Sequence, residues 1–207
     1  MRSIALFIAI SLTLFSGSTF GFGLGDLKKA AGVDGGSSSS GGVSISEVLD
    51  TYANALAKVN HGQKLMKLAA EGKVDQGNAL AEKGIATTSN ANADIVKASV
   101  KEVEGNDKFF KETDIDLAGM SDDQKELYGK GATAYLLAVP DLIKLSKQVK
   151  DVKKPGFSDV ANLGKFKLIV TIPEFVGKVL KIAPNLLQSG QKADIPMDNE
   201  VNALDFN

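Results

Sequence analysis

From Ile45 to Ala70 the chain repeats one spacing. Ile45, Leu49, Tyr52, Leu56, Val59, Gln63, Met66 and Ala70 step by alternating fours and threes. That alternation brings them onto one stripe of an α-helix. Ser44 stands ahead of the run as a cap, with Glu47 three residues on as its reciprocal partner. Glu71-Gly72 closes it, since glycine supplies the backbone freedom of a tight turn. A helix this long with one apolar stripe must be covered by other elements, so it dictates a multi-helix packing.

The rest of the chain offers those partners. A second helix is expected from about Val74 to Val103, with small residues (Gly77, Ala81, Gly84, Thr88, Ala91) along one face and a break near Ser89-Asn90. Internal glycines cost roughly 1 kcal/mol each relative to Ala, so this helix should be the weakest. A connection from 105 to 120 carries Phe109 and Phe110. Ser121 and Gln124 form a second capping box, with Asp122 and Asp123 favourably placed in the first turn. That helix runs to Val139, where Pro140 forces a kink or a restart, and Lys154-Pro155-Gly156 ends its continuation. A last helical region, about 158 to 189, contains Pro173 and Pro184 and must be bent or split. Phe166 to Ile172 taken alone resembles a strand, but no second strand exists to pair with it. The expected fold is all-α: an antiparallel bundle of four or five helices with Pro-kinked C-terminal helices.

The flanks differ in kind. Arg2, the charge-free run Ile4 to Phe15 and the small residues Ser16 to Gly21 have the three-part layout of a cleaved signal peptide. Residues 1–21 are therefore expected to be removed, and the protein to be exported to a periplasmic or extracellular space. Residues 22–43 read as a flexible arm. Leu24, Leu27, Ala30 and Ala31 could make one amphipathic turn, and Gly35 to Gly42 is Gly-Gly-Ser-Ser-Ser-Ser-Gly-Gly, with nothing to bury. The bundle domain is assigned to 44–190, and 191–207 is read as a loose polar tail.

Composition narrows the function. Hydrophobic residues make up 43% of the chain and charged ones 24%, enough to build one core. There is no cysteine, hence no disulfide framework, thiolate chemistry or lipid-anchored amino terminus. The one histidine, His61, has Lys64 and Leu65 at the helical positions where a paired ligand would stand, so it reads as a surface or rim residue. Asp114, Asp116 and Gly119 imitate the opening of a calcium loop, but Ala118 and Lys125 occupy two ligand positions. At most Asp114, Asp116, Asp122 and Asp123 could make a weak cation site. No phosphate loop or nucleophile elbow is present. With a pI near 5.9 and no Trp, nucleic-acid binding is not expected. The expectation is a protein that is not an enzyme, with no catalytic, cofactor or metal residues and no cofactor.

Two readings of function follow. In the first, the bundle binds a protein partner through its helical surface or through a groove beside the glycine-rich second helix. In the second, the Pro-kinked basic helices lie on an anionic membrane surface, with Lys165, Lys167, Lys178 and Lys181 as the candidate contact. Charge is unevenly spread. Residues 71–126 hold thirteen acids against seven lysines, and residues 141–192 hold ten lysines against four acids. Mutual attraction of these halves within one bundle explains the pattern as well as a membrane does, and the basic half contains no arginine for bidentate phosphate recognition. The sequence leaves the oligomeric state open.

Overall fold

A computed structural model describes residues 43–156 and 160–204. The expectations for the signal peptide and most of the arm fall outside these residues. Among the described residues the secondary structure is helical throughout, in eight segments: α1 Ile45–Ala70, α2 Val74–Lys83, α3 Ala93–Glu112, α4 Asp122–Leu136, α5 Val139–Asp151, α6 Val160–Ile169, α7 Ile172–Lys192 and α8 Asn199–Asn202. The all-α bundle stands, but four or five helices is too low a count.

The extra segments have local causes. Pro140 and Pro173 sit in the first turns of α5 and α7, where the missing N–H breaks no helical bond, so each begins a helix. The last helical region, expected to be bent or split, is split at Val170-Thr171, and among the described residues Pro184 is the proline inside a helix. The second helix stops at Lys83 because Gly84 turns away with φ +65°. The chain becomes helical again only at Ala93, where Asn92 caps α3 by accepting from the amides of Asp94 and Ile95. α3 then continues through Phe109 and Phe110, which had been assigned to a connection. The Lys67 ammonium lies 4.9 Å from the centre of the Phe109 ring, and Phe110 packs on the core. These contacts hold the last turn of α3 down.

α1 is the centre of the molecule. Ser44 Oγ accepts from the Glu47 amide, as the sequence predicts. The helix packs on α4 and α3, and also on α2, α5 and α6. No residue from Val48 to Ala70 is fully exposed. Leu49, Leu56 and Val59 of the stripe are completely buried, but so are Ala55 and Ala69 away from it. Small residues on the second face let further helices close over α1.

The closest approach is between α1 and α4. A Cβ added to Gly62 would lie 2.5 Å from the Gly131 carbonyl oxygen, and one added to Gly131 would lie 2.7 Å from the Gly62 carbonyl oxygen. The backbones touch there, which no side chain would permit. α3 is stitched to α1 by polar side chains. Gln63 donates to Asp107 Oδ1 at 2.6 Å, and Asn60 donates to the Ser99 carbonyl at 3.1 Å. Burial pushes the Asp107 carboxyl above its usual range, against the pull of Lys111 and the Gln63 hydrogen bond.

α7 buries Ile172, Phe175, Val176, Val179, Ala183 and Leu187, and the Phe175 ring meets Tyr52 of α1 edge to face at 5.5 Å. The segment read as a loose tail is docked as far as it is described. Ile195 is 5% exposed and Val201 is fully buried. Ile195 N–H donates to the Gly190 carbonyl, turning the chain back over α4. Ala193, Met197 and Leu204 pack against the core beside them, and their scatter among polar residues gave no periodic signal in the sequence.

Candidate binding groove

A groove of about 700 Å³ opens beside α2, where the sequence had suggested one. Its floor is the flank of the α1–α4 crossing: Leu65 of α1, Ala134 of α4 and Leu137 just past the end of α4. Ala81 and Glu82 of α2 form one wall, which Ile85 extends. Pro196, Met197 and Asp198 of the C-terminal segment form the far end. The groove is open to solvent along its length, with room for a few side chains of a partner.

Each wall is fixed by a specific contact. α2 lies tight on α4 because Gly77 has no Cβ; one placed there would fall 2.1 Å from a Leu127 methyl. Past Gly84, the segment carrying Ile85 is clamped to α1 by side chains. Asn54 Nδ2 donates to the Thr88 carbonyl at 3.2 Å, and the Thr88 amide donates to Asn54 Oδ1 at 2.7 Å. The Ala91 amide donates to Asp50 Oδ1 at 2.5 Å. α1 thereby satisfies the backbone groups of a stretch that makes no helix. At the far end, Gly129 admits the Pro196 carbonyl against α4, and the Asp198 amide donates to Thr133 Oγ1 at 3.3 Å.

The rim is charged. Glu126 and Lys130 pair at 2.7 Å, one helical turn apart, and this interaction lowers the Glu126 carboxyl. Glu82 and Asp198 make no ion pair among the described residues. His61 is half-buried at the edge, and burial, then Lys64, push its imidazole below the usual range. Above that range it is neutral and can accept or donate one hydrogen bond. The rim position expected for it is where it stands.

The four lysines lie elsewhere. Lys165 is half-buried and Lys167 exposed on α6, while Lys178 and Lys181 are exposed on α7. Lys178 binds Glu174 at 3.0 Å, and that hydrogen bond, with Glu104 and Asp107 of α3 adding attraction, raises its ammonium. None of the four lines the groove.

A smaller hollow adjoins Asp114, Asp116 and Gly119. Asp116 Oδ1 accepts from the Gly119 amide at 3.1 Å and so holds its own turn. Asp122 and Asp123 stand in the first turn of α4. Among the described residues no three His, Asp or Glu side chains come together as a metal site.

Glu82, Ile85, Glu126, Lys130, Met197 and Asp198 carried no mark as site residues in the sequence. The one usable signal was the glycine-rich helix itself, which implied a partner surface beside it. Comparison with family models, with curated proteins and with solved structures returns no match.

Proposed function

We propose that this chain is an exported, non-catalytic binding module that engages a protein partner through the groove beside α2. The groove carries the reading: apolar floor, charged rim, and walls held by side-chain hydrogen bonds. A preformed site of this kind costs little to organise on binding. A photo-crosslinking residue at Ile85 tests it. In the cells that export the protein, Ile85 should yield a protein adduct that the same probe at exposed Lys150 on α5 does not. Equal labelling from both positions would remove the groove from consideration.

The membrane-surface reading has its own observation. Val170 is 54% exposed and Ile182 36%, next in sequence to α6 and beside Lys181. Against it, the apolar face of α7 is turned into the core. Among the described residues no helix is long and apolar enough to cross a membrane. Lysines with little exposed apolar surface bind anionic vesicles only weakly near physiological salt, where screening acts over about 8 Å. Salt-resistant binding to anionic liposomes, lost when Lys165, Lys167, Lys178 and Lys181 are changed to Gln, would put this reading first.

A further inference from the structure

We propose that the groove has a resident occupant: the chain's own segment 23–33, tethered ahead of α1 by the Gly/Ser block. The proposal rests on reading the groove as a binding site. Three observations support it.

The first is charge. With Lys130 answered by Glu126, the groove is left with two unpaired acids, Glu82 and Asp198. The segment carries adjacent cations, Lys28 and Lys29, to meet them. The second is pattern. Leu24, Leu27 and Ala31 fall at helical spacing, giving the segment one narrow apolar edge for a floor made of Leu65, Ala134 and Leu137.

The third is reach. Val43 is packed on the core at the start of α1, so the tether begins at a fixed point. From Asp34 to Val43 an extended chain spans at most about 30 Å. His61 lies about 24 Å along α1 from Ile45 at 1.5 Å per residue. Leu65 of the floor lies about 30 Å along, so the tether meets the groove at its His61 edge when nearly extended, and falls short of the far end of α1, at about 38 Å. Glycine and serine offer the groove nothing themselves, which suits a tether. Occupancy of this kind adds little to folding, and an outside partner must displace it.

The absence of cysteine makes the test direct. In the purified full chain, the pair Ala30→Cys and Ile85→Cys should close to an intramolecular disulfide at least tenfold faster than Ala30→Cys with Lys150→Cys. Adding Glu82→Lys and Asp198→Lys should remove that advantage. A nitroxide on Ala30→Cys alone, which leaves the bundle unaltered, should broaden the methyl signals of Ile85 and Leu137 and spare Val149. Equal closure rates, or no selective broadening, would overturn the proposal. Disulfides formed only between molecules would overturn it in favour of a second copy. A partner adduct from Ile85 in either case would leave the groove reading standing, and its absence as well would end both.

Discussion

The α1–α4 pair has two sides, one closed and one open. On one, Gly62 and Gly131 bring the backbones into contact, with no room for a methyl group. On the other, Leu65 and Ala134 border open space. α2 repeats the contrast within ten residues, since Gly77 is filled by Leu127 while nothing lies within 4 Å of a Cβ on Gly84. Small residues close a gap only where the facing element supplies an atom to fill it. Where the facing helix ends, as α2 does at Lys83, the same small residues leave a hollow. The crossing is closed and the flank is open.

The sharpest way to break this contrast is through the closed side. Leu56→Ala empties a fully buried position on α1 and should cost about 2–5 kcal/mol in a urea titration. Near-native stability would mean that α1 does not organise the core. Gly131→Ala comes next. The added methyl meets the backbone of α1, and overpacking of this kind costs about 1–3 kcal/mol. The loss should appear despite the roughly 1 kcal/mol that Ala ordinarily gains over Gly in a helix. A rise in stability would show that the two helices can separate freely.

Gly105→Ala asks the reverse question. It lies inside α3 with nothing near its Cβ position. Here the helix preference acts unopposed, and thermal melting should report a gain of up to about 1 kcal/mol. The smallest effect belongs to His61. Its folded-state affinity for a proton is lowered, so the unfolded chain binds more protons as pH falls through the ordinary histidine range. The contribution is present above that range and lost below it. His61→Ala should therefore flatten slightly the fall in stability between neutral and mildly acidic pH, read from denaturation midpoints. An unchanged pH profile would place the imidazole in open water.

What the sequence could express was whatever lies within one helical turn. The α1 stripe, the Ser44 cap and the Ser121–Gln124 box are local, and all are found. The break expected near Ser89-Asn90 is wider, spanning 84–92, for a non-local reason: Asn54 and Asp50, more than thirty residues earlier, bind that backbone in another shape. The glycine contact of α1 with α4 and the docking of Pro196 on Gly129 likewise depend on residues far apart in the chain. The groove is built almost wholly from such contacts. Its neighbourhood was legible from the glycines of α2, and its rim was not.

The all-round burial of α1 also bears on how the protein is made. α1 is the first element of the bundle to be synthesised, while its main cover, α4, is complete only at Leu136. At about 5–20 residues per second, the ribosome takes on the order of 3 to 13 seconds to travel from Ala70 to Leu136. Through that interval Leu49, Leu56 and Val59 have no permanent neighbours on α4. Until α4 is made, the nascent chain presents part of a hydrophobic helix to whatever holds unfinished proteins.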